Sequence, residues 1–254
     1  MARVAGKSTD IYIDTHAVEG YASSFTLGVD VNLPEVTAFG DEASTFVEGK
    51  ANPNFNMSAF FSPTDDESDE IVENALSGTS EIFYVPSGMA VGNLGYHFQT
   101  NLDNRTIDNP VDGATALNIT GQGSSNFGRH AVLYTAASPA LSGTGVRADS
   151  RVDTGSTSAV GSLSAGTVKR ATLRITAVSG SGTATIKIQD SSNAGWASGT
   201  GFSDFVAFAQ ISGVSTQTVT TTDACDRYLQ ITVSQYASFT NFNCVVTFGV
   251  DSGT

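Results

Sequence analysis

Apolar and polar residues alternate with a period of two along most of the chain, and this pattern predicts short β-strands. Residues 21–29 place Tyr21, Phe25 and Val29 on one side of a strand, with small or polar residues on the other. Residues 52–61 alternate in the same way and end in paired aromatics. Similar strand patterns lie at residues 10–15, 81–85, 91–100, 114–120 and 129–135, separated by turn-forming Gly, Asn, Asp and Pro.

One segment, residues 65–77, has helical rather than strand periodicity. Thr64 and Glu67 have the spacing of a capping box, and Gly78 is positioned to end the helix. The acidic residues crowd the first turns, where the helix dipole tolerates negative charge, and we expect them to face solvent or a neighbouring molecule. The apolar stripe predicted to pack on a sheet consists of Ile71, Val72, Ala75 and Leu76.

The second half of the chain also has strand periodicity. Two alternating segments, at residues 173–177 and 184–188, flank a Gly-Ser-Gly turn and predict a β-hairpin. Further short strands are predicted at residues 202–209, 217–221, 227–234 and 243–250. This rhythm is typical of an immunoglobulin-like or jelly-roll β-sandwich.

The stretch between the halves, residues 138–166, contains few large apolar residues. It is predicted to be a loop-rich linker, part of which could pair as an edge strand. The expected organisation is mainly β. A first domain at residues 1–140 forms a β-barrel or sandwich with one packed α-helix, a linker spans residues 141–166, and a C-terminal β-sandwich occupies residues 167–254.

The composition restricts the possible functions. The chain has 254 residues, 12 Lys and Arg against 25 Asp and Glu, and a net charge of −13. Such a balance argues against a surface that grips nucleic acid, because phosphate binding depends on clustered cations. It is compatible with a surface past which nucleic acid slides. Since no run of 18 apolar residues and no apolar leader at residues 1–10 occurs, we expect a cytoplasmically made protein that does not cross a membrane.

The sequence predicts no enzyme, no cofactor and no metal site. Residues 6–8, Gly-Lys-Ser, end like a phosphate-binding loop, but Met1 stands where that motif needs its first glycine. The histidines, His16, His97 and His130, are far apart in sequence, and the spacing of a zinc protease is missing. Asp103, Asp108 and Asp112 are expected to be turn formers. The helix carboxylates resemble a glycosidase pair only in number, because that chemistry needs a cleft.

Two cysteines and one tryptophan complete the candidates. Cys225 and Cys244 are expected to be reduced and structural, at opposite ends of a hairpin if residues 228–234 and 243–250 pair. Trp196 lies in a glycine-rich loop. It is either a packing anchor or an exposed ring that could stack on a sugar, and the sequence leaves both open.

Several features of the first half together resemble the tail tube, or major tail, proteins of long-tailed (siphophage-type) bacteriophages. They are the run Thr37-Ala-Phe39-Gly40-Asp41, the Gly49 turn into a strand with paired aromatics, and the helix directly after it. Features of the second half resemble the C-terminal β-sandwich of many phage major tail proteins. They are TAVSGSGTATIKIQDS, Phe202-Ser-Asp-Phe205 with Phe208, and Arg227-Tyr228-Leu229. Similar sandwiches on other phage and bacterial proteins bind sugars.

This resemblance implies that residues 1–140 are a tail tube domain forming rings, typically six-fold, whose strands continue from one subunit to the next. Stacked rings would form the tail tube, a conduit through which DNA passes without specific binding. The implied partners are the protein itself and other tail proteins (tape measure, terminator and tip), in a virion assembled in the host cytoplasm. The expected subunit and ring interface residues are Val36, Thr37, Phe39, Gly40 and Asp41. Alternatives are a capsid-decorating protein, a sugar-binding adhesion module and a carbohydrate-active enzyme.

Overall fold

Strands and one helix make up a mainly β fold in the computed structural model, and the predicted fold class is confirmed. The structure describes residues 8–252 apart from residues 32, 34, 38–42, 45, 47–50, 66, 137–142, 156–162, 194, 196, 197 and 199. The chain divides into two compact units. Unit 1 comprises Met1–Ala17, Phe83–His97 and Gly128–Asp251, and unit 2 comprises Val18–Ile82, Phe98–Phe127 and Ser252–Thr254.

Unit 2 is an antiparallel sheet with the helix. Its elements are β3 Ala22–Val31, β4 Ala51–Phe60, α1 Ser68–Leu76, and parts of β5 Thr79–Val85, β6 Leu94–Asp108 and β7 Ala116–Ala136. The strand order is β3-β4-β7-β6-β5. Alternate residues of β4, Phe55 and Met57, are buried together with Leu117 and Ile119 of β7, so the period-two pattern becomes one apolar face.

The helix α1 begins three residues later than predicted, because its start is held by the preceding strand. The Ser68 hydroxyl donates to the Phe60 carbonyl at 2.8 Å and accepts from the Ser62 N–H at 2.9 Å. The N-cap is Glu67, whose side chain makes no capping hydrogen bond. The predicted capping box was therefore wrong, and the helix ends in Ser77 as its C-cap.

The helix buries Ile71, Val72 and Ala75, whereas Leu76 is 38% exposed and lies outside the buried face. Two of the helix acids have a partner on β6, since Arg105 forms an ion pair with Asp69 and lies 3.9 Å from Glu73. This acidic face is thus partly neutralised by the protein's own arginine rather than wholly exposed to solvent.

Unit 1 is a β-sandwich. Its larger sheet adds β1 Asp10–Ile13, β2 His16–Ala17, β9 Lys169–Ser179, β12 Ser215–Thr221 and β14 Asn241–Ser252, in the order β12-β9-β14-β7-β6-β5-β1-β2. The smaller sheet contains β8 Gly145–Asp153, β10 Thr183–Ser191, β11 Ser203–Ala207 and β13 Tyr228–Ala237, in the order β11-β10-β13-β8. Leu173, Ile186, Ile231 and Phe248 are fully buried in the core shared by the two sheets.

The predicted hairpin of the second half was wrong. β9 pairs with β12 and β14, whereas β10 pairs with β11 and β13, so the Gly-Ser-Gly turn joins two different sheets. Both strands have one apolar side, and these sides face each other across the sandwich core. The turn passes close to the end of β13, since a Cβ on Gly182 would lie 2.2 Å from the Ala237 carbonyl oxygen.

The strands near the cysteines, β13 and β14, likewise belong to different sheets and do not form a hairpin. Cys225 and Cys244 are buried free thiols. Burial raises the pKa of Cys244 to about 12, and it raises the pKa of Cys225 as well. Both thiols are therefore protonated and unreactive at neutral pH.

The strands β6 and β7 are longer than predicted, and each runs from one compact unit into the other. The segments predicted at residues 114–120 and 129–135 are one continuous strand, β7, while Asp103 and Asp108 lie within β6 instead of in turns. β5, β6 and β7 each contribute residues to both units.

The predicted linker at residues 141–166 contains β8, which pairs with β13, as the edge-strand alternative allowed.

Gly249 of β14 lies where this strand approaches β7 closely, and a substitution at this position tests that approach. A Cβ on Gly249 would lie 2.1 Å from the Arg129 carbonyl oxygen and 2.5 Å from His130 Cδ2, and backbone cannot yield locally. We expect Gly249→Ala to lower the free energy of unfolding by about 3 kcal/mol in urea denaturation followed by circular dichroism. The matched control is Gly213→Ala, which meets no atom within 4 Å and should change stability by less than about 0.5 kcal/mol. Equal effects would contradict the strand spacing.

Candidate assembly edge and buried charge cluster

The outermost strand of the unit 2 sheet, β3, pairs only with β4 among the described strands. The direction of the hydrogen bonds of β4 can be read from its end. The Phe60 N–H donates to the Tyr21 carbonyl at 2.9 Å, and the Phe61 N–H donates to the Thr115 carbonyl at 3.0 Å. Because successive residues of a strand point their backbone groups to opposite sides, even-numbered residues of β4 bond towards β3 and odd-numbered ones towards β7.

The register then identifies the open backbone groups of β3. Gly28 and Asp30 lie opposite Asn54 and Asn52, which are even-numbered, and therefore bond to β4. Leu27, Val29 and Val31 alternate with them and direct their N–H and C=O groups away from β4. These three residues form an open, regularly spaced row of donors and acceptors.

Exposed apolar side chains accompany this row and continue beyond it. Val29 and Val31 are 40% and 42% exposed, and Leu33, Val36 and Phe46 are each more than half exposed. An antiparallel bridge between Glu35 and Phe46 extends the β3–β4 ribbon into the connecting segment. The open backbone of residues 27–31 together with these side chains is called the β3 edge.

The predicted interface residues lie in this connecting segment. Val36 and Thr37 are exposed, and the Thr37 hydroxyl donates to Glu35 Oε1 at 2.6 Å. Phe39, Gly40 and Asp41 lie outside the described residues, as does Trp196. The sequence predicts a strand at residues 21–29 but does not show that β3 is an edge strand, because apolar and polar residues alternate in the same way in edge and central strands.

A second feature, which the sequence did not predict, lies in unit 1. Four neighbouring strands, β9-β14-β7-β6, each contribute a polar residue to one buried cluster. The Arg170 Nε donates to Asp251 Oδ2 at 2.9 Å, and His130 Nε2 lies 3.4 Å from Asp251 Oδ1. The rings of His97 and His130 stack with centroids 4.7 Å apart. Arg174 lies over the Phe83 ring of β5, 5.2 Å from its centroid. We call Arg170, Arg174, Asp251, His130 and His97 the charge cluster.

The protonation states in the charge cluster follow from burial and from charge. Burial lowers the pKa of His130, and the positive charges of Arg170 and Arg174 lower it further, against the opposing effect of Asp251. Burial alone would raise the pKa of Asp251, but its hydrogen bonds with His130 and Arg170 and the positive charge of Arg170 outweigh burial and hold that pKa below its usual value. At neutral pH the cluster therefore contains a neutral His130 and an ionised Asp251.

The side chains of His97, His130 and Asp251 are of metal-ligand type, and one nitrogen or oxygen of each lies within 4.8 Å of the others. The charges around them do not fit a cation. Arg170 already pairs with Asp251, and the charge of Arg174 acts on His130, so a divalent ion would leave this buried site strongly positive. His97 and His130 are far apart in sequence, but the strand order brings their rings into contact.

None of the helices in the described part of the chain is long and apolar enough to cross a bilayer.

No protein-family model and no curated protein matches the chain. Solved structures of phage and gene transfer agent particles are similar in part. A chain of the SPP1 tail tube is 10% identical with a TM-score of 0.42, over 48% of this chain and 77% of that one. A chain of the native gene transfer agent virion is 10% identical with a TM-score of 0.41, over 50% and 97%.

A third similar structure extends over nearly the whole chain. It is the SPP1 Dit protein, described as a hub adsorption apparatus in phages that infect Gram-positive hosts. It is 10% identical with a TM-score of 0.35, over 95% of this chain and 98% of that one. At these scores the likeness is loose, and the function has to be argued from the residues described above.

Proposed function

We propose that this protein is a structural virion protein of a tailed bacteriophage, which polymerises through the β3 edge into stacked rings that form the tail tube. The observation that supports this proposal is the β3 edge. It combines ten residues of strand with an open backbone row and exposed apolar side chains. A strand of this kind pairs readily with another chain.

The sequence of β3 lacks the usual protection of an edge strand. Soluble proteins keep such strands short, or place Lys, Pro or an inward-pointing charge on them. β3 has the sequence ASSFTLGVDV, without Lys or Pro. Its single charge, Asp30, accepts a hydrogen bond from Asn54 Nδ2 at 2.6 Å and so belongs to the ribbon. We infer that a second copy of the chain covers the edge in the assembled state.

A contact between the β3 edge and a different surface of the next copy is heterologous, and repeated contacts of this type form a ring when the rotation between copies closes. A closed ring of strands has no remaining edges, which explains why the edge is tolerated. By resemblance to tail tube proteins, the ring has six copies. Val36, Thr37, Phe39, Gly40 and Asp41 would then contact neighbouring subunits, and the tape measure, terminator and tip proteins would be further partners.

The net charge of −13 suits a conduit for DNA, because an acidic lining repels phosphates weakly and leaves the DNA mobile. No catalytic step is part of the proposal, and the proposed location is the tail of a virion assembled in the host cytoplasm. The capsid-decorating and sugar-binding alternatives have no specific observation in their favour, since Trp196 lies outside the described residues.

Electron microscopy of the purified full-length protein over a range of concentrations tests the proposal. We expect rings with a central channel and, at high concentration, stacked tubes. A ring structure should place more Asp and Glu than Lys and Arg in the channel. A protein that stays monomeric at all concentrations, or that binds empty capsid shells instead of forming rings, would overturn the tail tube function.

A further inference from the structure

We propose that the charge cluster is an acid-sensitive latch, which holds four strands of unit 1 together at neutral pH and releases them under mildly acidic conditions while unit 2 stays folded. The inference rests on the cluster itself and does not depend on the proposed function. Its basis is the arrangement of titratable and permanently charged groups on neighbouring strands.

At neutral pH the latch is closed by contacts between the strands. The Arg170–Asp251 pair joins β9 to β14, the contact of Asp251 with His130 joins β14 to β7, and the stacked rings of His130 and His97 join β7 to β6. All of these side chains are buried, so each contact acts in a medium that screens charge poorly. Removing one partner of such a set is costly because the others remain buried.

A proton on His130 would disturb this balance. The groups that face His130 are His97 from β6, Asp251 from β14, and Arg170 and Arg174 from β9. Asp251 is already paired with Arg170, so a protonated His130 would have to share this carboxylate, while burial and the charges of Arg170 and Arg174 oppose the proton. The stacked His97 ring, 4.7 Å away, offers no negative charge either. The folded state therefore resists the proton, whereas the unfolded chain accepts it at the ordinary histidine pKa of about 6.5.

The sign of the effect follows from the lowered pKa of His130 in the folded state. Below about pH 6.5 the opened form binds more protons than the closed form, so stability falls as the pH falls. The lowered pKa of Asp251 acts in the same direction at still lower pH. One extra proton changes the opening constant by up to about tenfold for each pH unit.

The distribution of histidines confines this effect to one unit. The chain has three histidines, and His16, His97 and His130 all belong to unit 1. Unit 2 has no histidine, and its Asp and Glu side chains ordinarily titrate near pH 4. Between pH 7 and pH 5, unit 2 therefore lacks a group that ordinarily titrates, and the β3 edge should remain intact.

Amide hydrogen exchange of the full-length protein at pH 7, 6 and 5, corrected for intrinsic rates, tests the latch. We expect opening constants of β9, β14 and the unit 1 part of β7 to rise by up to about twenty-fivefold between pH 7 and pH 5. Those of β3 and β4 should stay constant. His130→Gln removes the ring that contacts Asp251 but keeps a donor for this carboxylate, and it should reduce this pH dependence. The matched control, His16→Gln, changes a histidine outside the cluster and should retain it.

Three outcomes would overturn the latch. They are an unchanged pH dependence in His130→Gln, equal loosening of unit 1 and unit 2, and an acid response that disappears in His16→Gln. If His130→Gln does not fold, the His130 ring is titrated in the unaltered protein by nuclear magnetic resonance. A pKa at or above 6.5 for that ring would contradict the proposal, and a pKa clearly below it is the expected result.

Discussion

Replacing Val29 with proline is expected to weaken polymerisation while the β3–β4 ribbon stays folded. The N–H of Val29 points to the open side of β3, so proline removes a donor of the β3 edge without removing a bond to β4. Proline is tolerated on edge strands for this reason. The loss of one strand-pairing bond costs about 1 kcal/mol at each contact. Since a ring repeats the contact, we expect the concentration needed for assembly to rise by about tenfold or more.

Sedimentation velocity and electron microscopy measure this effect, and circular dichroism checks the fold. The matched control is Val29→Thr, which keeps the N–H and a branched side chain of similar size and should assemble almost normally. Deleting residues 36–47 should likewise leave a folded protein that does not polymerise. Normal tubes from Val29→Pro would show that β3 is not the assembling edge. Normal tubes from the deletion would show that the connecting segment is not needed for assembly.

Replacing Asp251 with alanine should destabilise the protein more than any surface substitution. Asp251 is the carboxylate that balances Arg170, and its side chain is 1% exposed. Its removal leaves a buried guanidinium without its counter-ion and His130 without its acceptor. Breaking a buried pair from one side costs about 3–5 kcal/mol, and we expect a loss of this size in urea unfolding at pH 7.

The control for Asp251→Ala is Asp204→Ala, which breaks an ion pair of similar length at the surface. Lys187 Nζ lies 2.6 Å from Asp204 Oδ2, but the Asp204 side chain is 49% exposed. Water and salt screen that pair, so Asp204→Ala should cost less than about 1 kcal/mol. If the two substitutions have equal effects, the charge cluster does not stabilise unit 1 in the way described.

The hydrophobic pattern located individual elements well where local geometry sets them. The alternation at residues 52–61 predicts β4, which spans Ala51–Phe60, to within one residue. The helical stripe predicted a helix at residues 65–77; the helix spans Ser68–Leu76 and buries Ile71, Val72 and Ala75 but not Leu76. The start of the helix was not predictable, because it depends on hydrogen bonds of Ser68 with Phe60 and Ser62 rather than on the spacing of Thr64 and Glu67.

The two candidate sites differ in how far the sequence reveals them. The connecting segment after β3 is recognisable, since a long polar stretch containing Val36 and Phe39 is unusual in a simple turn. The charge cluster is not recognisable, because His130 and Asp251 are 121 residues apart and follow no motif spacing. The one sequence signal was the presence of Arg170 and Arg174 within an otherwise strand-like run.

By itself, the sequence determined that this protein is mainly β with one helix, acidic, and without the spacing of known catalytic motifs. A period of two shows which side of a strand is buried, because side chains alternate along an extended backbone. It does not show what covers that side, since the partner comes from distant parts of the chain. The tertiary structure alone therefore decided that β9 and β10 face each other from different sheets, that β3 has an open edge, and that His97, His130 and Asp251 meet.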